Sequence, residues 1–154
     1  MLAGLIDAAF GQYRGRLVPE SGAFGEKPEV IAAELARPGH GALLAELDGA
    51  PAGCVLFKPE HGDLYFGRLS VPPALRGHGI ARALIAAVEA QAVAAGYPAV
   101  RLGVRVVLTE NQRLFASLGY VEVSREAHPG FDYPTSINMR KPLGRADLPA
   151  ERVG

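Results

Sequence analysis

The chain has 154 residues, 49% of them hydrophobic, and carries 16 Lys and Arg against 16 Asp and Glu. That length suits one domain, spanning 1–143 with a polar tail over 144–154, and its core is large enough to need neither disulfides nor metal. The balanced charge leaves no overall field to attract nucleic acid, so any anion site has to be local.

Leu2, Leu5, Ile6, Ala9, Phe10 and Tyr13 recur at spacings of three and four, which predicts an amphipathic helix over 2–15. This opening lacks a basic leader and is interrupted by Asp7, so no secretory segment is expected, and no stretch approaches the length of a membrane span. Residues 18–27 read as a loop, after which Pro28 and Glu29 open a short helix that ends before Pro38 and Gly39. Two apolar runs, 42–47 and 52–57, flank Asp48-Gly49-Ala50-Pro51, a tight-turn composition that predicts a β-hairpin. The lone Cys54 falls in the second run, where a buried, inert thiol and a reducing, cytoplasmic setting are expected. A further strand over 63–71 is expected to pair with the hairpin.

Pro72 and Pro73 stop ladder pairing and lead into Arg76-Gly77-His78-Gly79-Ile80-Ala81, which opens a long helix running to about residue 95. Ile80, Leu84, Ile85, Val88 and Ala92 form its apolar stripe, with Gly96 as its stop. Glycines at 77 and 79 let backbone N–H groups approach an anion, and the positive end of the helix dipole points at the same place. Arg76 adds a permanent guanidinium, and His78 and Arg82 can add charge, so the stretch reads as a phosphate cradle. A dinucleotide fingerprint is excluded because Arg82 occupies its last glycine position, and no Gly-Lys-Ser/Thr triplet exists for a Walker loop.

Residues 100–107 form the next predicted strand. Thr109 and Gln112 have capping-box spacing, so a helix is expected from Glu110 that buries Leu114, Phe115 and Leu118. Two closing strands, 120–126 and 135–143, are joined by a loop over 128–134. His40, His61, His78 and His128 show no metal-site spacing, so no metal is expected. The five serines lack a nucleophile-elbow context.

The pattern Arg76, Gly79, Ala81 after Leu69-Ser70-Val71-Pro72-Pro73 resembles the acyl-CoA signature of the GCN5-related N-acetyltransferases (GNATs). Arg101-Leu102-Gly103-Val104-Arg105 resembles that family's next strand, and Asn111 through Tyr120 its following helix and turn, so the similarity covers 43–143. The resemblance implies a single-domain α/β (α+β) fold of three layers, with a mixed, mostly antiparallel central sheet flanked by helices. A splay is expected between the strand ending at Val71 and the strand 100–107. The family places a strand before the first helix; here it is either missing or precedes this start.

The resemblance also implies acetyl-CoA as donor and direct attack by an amine, on a small molecule or a peptide, within a ternary complex. Leu69, Ser70 and Val71 would then offer backbone N–H groups to the thioester. Arg76, Gly77, His78, Gly79, Ile80, Ala81 and Arg82 would hold the diphosphate, with Asn111 and Phe115 also touching the cofactor. Many members have tyrosine at the position of Phe115 and some have glutamate at that of Gly103, and neither group is present here. Among the titratable residues near the strand ends, His128, Tyr133, Tyr120 and Asp63, His128 is the preferred base by its pKa range, with Tyr133 beside it. The rival reading is an acyl-CoA-binding sensor or docking module without turnover. A homodimer stays open, and neither nucleic acid nor membrane is expected as a partner.

Overall fold

The computed structural model describes residues 28–144. The predicted helix over 2–15, the loop 18–27, any strand before them and the tail beyond Gly144 lie outside the described residues. In chain order come α1 (Pro28–Leu35), β1 (Gly41–Leu47), β2 (Ala50–Glu60), β3 (Asp63–Ser70), a 3-10 turn (Pro73–Leu75), α2 (Ile80–Ala95), β4 (Ala99–Arg105), α3 (Thr109–Ser117), β5 (Val121–Glu126) and β6 (Ser136–Pro142). Six strands form one sheet in the order β1-β2-β3-β4-β6-β5. β1–β2, β4–β6 and β5–β6 pair antiparallel, whereas β3–β4 is parallel. This is the mixed, mostly antiparallel sheet the sequence implied. No helix among the described residues is long and apolar enough to cross a membrane.

Both early hairpins close through two residues at positive φ, Asp48 and Gly49 (54° and 82°) and His61 and Gly62 (51° and 82°). Turns of that kind match the right-handed twist of the strands they join. Ala50 and Pro51, expected in the first turn, belong to β2 instead, because Leu47 already pairs with Ala50. Pro51 brings no N–H, and the ladder shifts register beside it, between Ala45 and Glu46.

Contacts divide the chain into two compact units, and β3 contributes residues to both. The first contains the described part of Met1–Pro59 and Phe66–Ala90. Its core includes Ile31, Cys54, Val55, Leu56, Phe66, Ile80, Leu84, Ile85 and Val88. Gly53 lies where a Cβ would meet the Ser70 carbonyl oxygen at 2.9 Å and Ile80 Cγ2 at 3.0 Å, so only glycine lets β2, β3 and α2 approach this closely.

The second unit contains Glu60–Tyr65 and the described part of Gln91–Gly154. Alternation along its strands buries Leu64, Val100, Leu102, Val104, Ile137 and Met139 on one side of the sheet. Phe115 and Tyr120 meet edge to face at 6.4 Å, and Lys141 Nζ lies 5.9 Å from the Tyr120 ring centre. Asp63 is buried and binds two guanidiniums: Arg101 through Nε, and Arg140 through Nε at 2.8 Å and Nη2 at 3.2 Å.

Two local expectations are corrected here. The strand predicted over 100–107 ends at Arg105: one last bond in register with β6 runs from Val106 N–H to the Thr135 carbonyl, and Leu108 N–H then closes a turn onto the Arg105 carbonyl. The expected capping box does not form: α3 starts at Thr109 after Leu108, without a side-chain cap. Gln112 instead donates Nε2–H to the carbonyls of Arg105 (3.0 Å) and Val106 (2.7 Å), satisfying oxygens where the strand ends.

Candidate active site

The parallel ladder of β3 and β4 consists of Leu64 with Val100 and Tyr65 with Arg101, although β3 runs on to Ser70 and β4 to Arg105. Arg68, inside β3, has a φ of 50°, a left-handed conformation that costs a non-glycine residue. Its neighbours hold it there: Arg68 Nη1 donates to Glu34 Oε2 at 3.1 Å, and its carbonyl accepts the Ser70 hydroxyl at 2.9 Å. Ser70 also hydrogen-bonds Cys54, whose thiol is pushed up to about 11 by burial. The hydroxyl of Ser70 is thus committed inside the fold. No residue preference betrays an arginine at positive φ, so this conformation was not legible in the sequence.

Past Val71 the chain makes the cradle. Leu75 N–H bonds the Pro72 carbonyl at 2.9 Å, which closes the turn over Pro73–Leu75. Arg76 folds its Nε–H back onto the Val71 carbonyl at 3.0 Å, and His78 donates Nδ1–H to the Leu75 carbonyl at 2.9 Å. Gly77 and Gly79 have φ of 88° and 76°, and a Cβ on either would meet no protein atom within 4 Å. The first bond of the α2 ladder is Ala83 N–H to Gly79 O at 3.0 Å, so the N–H groups of Ile80, Ala81 and Arg82 precede it. Open approach at two glycines, amides at a helix start and the exposed side chains of Arg76, His78 and Arg82 suit a diphosphate.

Asn111 is half-buried in the first turn of α3, and Phe115 is buried against Tyr120. His128 and Tyr133 lie on one loop, but their rings have different partners. Thr135 Oγ1 accepts the His128 backbone N–H at 3.0 Å and also contacts Nδ1 of its ring. Burial, aided by the Arg105 charge and opposed by Glu126, holds the His128 pKa below the usual histidine value. Tyr133 is 52% exposed and stands edge-on to Phe131 at 5.5 Å. Of the other two titratable residues, Tyr120 is 1% exposed in the core, and the two arginines hold the Asp63 pKa below the carboxylate range. Neither is available to carry a proton.

Around Gly103 the fold gathers groups the sequence did not connect. A Cβ there would lie 3.5 Å from the Tyr65 hydroxyl oxygen, and 3.8 Å from both Asn138 Oδ1 and Ser136 Oγ. The three residues come from β3 and β6, 38, 35 and 33 positions from Gly103, so only strand pairing brings them to it.

Sheet order, a short parallel contact and a glycine turn entering a long helix define the N-acetyltransferase type of α/β fold. The model of the acetyltransferase (GNAT) family matches residues 8–120, and the chain belongs to that family. No curated protein matches it in sequence. Its fold is similar to that of aminoglycoside 6′-acetyltransferase type Ii, with 22% identity, a TM-score of 0.70, and coverage of 96% of this chain and 88% of that one. The ribosomal-protein-S18-alanine N-acetyltransferase from Escherichia coli is similar at 20% identity and TM-score 0.66, covering 91% and 90%. A GNAT family acetyltransferase from Elizabethkingia anophelis, solved with acetyl-CoA bound, is similar at 17% identity and TM-score 0.62, covering 76% and 84%.

Proposed function

We propose that this chain is an N-acetyltransferase that moves the acetyl group of acetyl-CoA to an amine by direct attack in a ternary complex. The observation that carries the reading is the open glycine cradle at Gly77 and Gly79, set against the first turn of α2. Its amides, with Arg76 and Arg82, would take the diphosphate, and Asn111 and Phe115 would line the cofactor's path. Backbone N–H groups of Leu69, Ser70 and Val71 would donate to the thioester oxygen as it gains charge, a contribution of about 3 kcal/mol for one such donor. When bound, acetyl-CoA supplies an activated acyl group with a thiolate that leaves readily.

His128 is the proposed base. In the tautomer whose Nδ1–H donates to Thr135 Oγ1 the lone pair lies on Nε2, and the lowered pKa keeps the ring neutral and able to accept the amine's proton. Tyr133, on the same loop, is the proposed source of a proton for the sulfur. The acceptor is a small-molecule or peptide amine, classes represented by the aminoglycoside and S18-alanine enzymes of similar fold. Acetyl-CoA should raise the melting temperature, and kanamycin, spermidine or an alanine-initiated peptide should release free CoA thiol. No stabilisation and no thiol release would sink the proposal.

The absence of a hydroxyl at Phe115 and of a side chain at Gly103 favours a second reading, an acyl-CoA-binding module without turnover. Phe115→Tyr separates the two. Tight binding with no turnover in either form supports the module, whereas turnover in the wild type excludes it.

A further inference from the structure

Gly103 is exposed on β4, and three oxygens converge on the space its missing side chain leaves: the Tyr65 hydroxyl, Asn138 Oδ1 and Ser136 Oγ. Their orientations follow from neighbouring bonds. Asn138 donates Nδ2–H to Ser124 Oγ at 2.9 Å, and its Oδ1, a pure acceptor, lies on the Gly103 side. Ser136 Oγ lies 3.5 Å from the Val104 carbonyl, a group that can only accept, and its lone pairs can face a ligand. Asn138 pairs directly with Gly103 and Ser136 with Arg105, so the side chains of Asn138, Ser136, Arg101 and Arg105 rise on one side of the sheet. No carboxylate is among the three groups. Asn138 Oδ1 can only accept and the two hydroxyls can accept as well as donate, so the three together suit a donor of N–H hydrogens.

We infer that this polar bowl seats the amino group of the acceptor, with Asn138 Oδ1 and Ser136 Oγ each accepting one N–H and the Tyr65 hydroxyl closing the third side. This rests on the transferase reading above and names the side chains that orient its nucleophile. A neutral primary amine has two N–H hydrogens and one lone pair. Holding both hydrogens against β6 directs the lone pair away from the bowl, the orientation attack requires. On the same face stand Arg101, Arg105 and Arg140, set against Asp63, which binds Arg101 and Arg140, and Glu126, the ladder partner of Ser136.

The test uses amide NMR of the full chain with trifluoroethylamine, whose fluorines leave it largely unprotonated at neutral pH, and its N,N-dimethyl derivative, which has no N–H. The primary amine should shift the Gly103 backbone amide and the Asn138 side-chain amide saturably, and the tertiary amine should not. Gly103→Ala adds a methyl group in ordinary contact with the surrounding atoms, so it should fold normally and lose the shift, as should Asn138→Leu. Equal shifts from both amines, no shift from either, or a full shift in Gly103→Ala would overturn the assignment. An acetyl-CoA melting shift in the same samples reports on the transferase reading separately: its absence with the amine shifts intact sinks that reading and not the bowl.

Discussion

Arg76 Nε donates to the Val71 carbonyl at 3.0 Å, tying the residue that opens the glycine turn to the end of the strand run before it. The bond meets a local shortage of donors, because Pro72 and Pro73 bring no backbone N–H to that carbonyl. It makes Arg76 a clasp of the cradle as well as a source of charge.

Arg76→Ala and Arg76→Lys should therefore both weaken acetyl-CoA binding. A hydrogen bond to a charged group is worth about 1.5–3 kcal/mol, so calorimetric titration should show affinity falling by roughly ten- to a hundredfold. Retained charge in Arg76→Lys should not restore binding, since lysine lacks the planar fork that spans both partners. Full affinity in the lysine variant would leave charge as the whole role.

Three glycine-to-alanine substitutions should divide by mechanism. Gly77→Ala and Gly79→Ala force alanine to positive φ, at about 1 kcal/mol each, and set a methyl group where the cradle is open. Their main loss should be in the melting shift that acetyl-CoA produces. Gly53→Ala meets a backbone carbonyl at 2.9 Å and should lower stability by about 1–3 kcal/mol, seen as a lower urea midpoint without any ligand.

Arg101 and Arg140 are direct partners in the β4–β6 ladder, an arrangement of like charges that costs stability unless neutralised. Asp63 accepts from both, so Asp63→Asn should cost about 3 kcal/mol by leaving two guanidiniums facing each other. The folded pKa of Asp63 is depressed, chiefly by its Arg140 hydrogen bonds, so its stabilisation is complete above the unfolded carboxylate value of about 3.9. It is lost as pH falls from there through the lower folded value. Urea midpoints against pH should show an acid limb that is shallower in Asp63→Asn.

His128 should titrate below the unperturbed value of about 6.5, because burial and Arg105 both disfavour its charged form. Its contribution to stability is present above that unfolded value and lost as pH falls toward the folded one, since the unfolded chain takes up the proton first. Ring NMR should place the midpoint on the acid side, and Arg105→Gln should raise it. The acid limb of kcat/KM should follow the same midpoint in both proteins.

Cys54 should resist thiol reagents in the folded protein, since burial keeps its thiol protonated with a pKa of about 11. Labelling by a disulfide reagent at neutral pH should wait for denaturant. Rapid labelling of the native chain would contradict that burial.

Much of the fold was legible because its signals are local. The stripe Ile80, Leu84, Ile85, Val88 on α2, the Asp48-Gly49 turn and the glycines of the cradle each act within a few residues, where periodicity and backbone sterics decide the outcome. The capping box misled because Gln112 found stronger use on the carbonyls of Arg105 and Val106, an option that exists only once β4 has ended.

By itself the sequence determined the order of the described elements, the glycine turn before α2 and the buried setting of Cys54, all consequences of short-range chemistry. Only the tertiary structure decided that Asp63 serves Arg101 and Arg140, 38 and 77 positions away, that Arg68 takes a positive φ within β3, and that Tyr65, Ser136 and Asn138 surround Gly103. Those relationships depend on strand register, which follows from packing a whole sheet and leaves no mark on any single stretch of the chain.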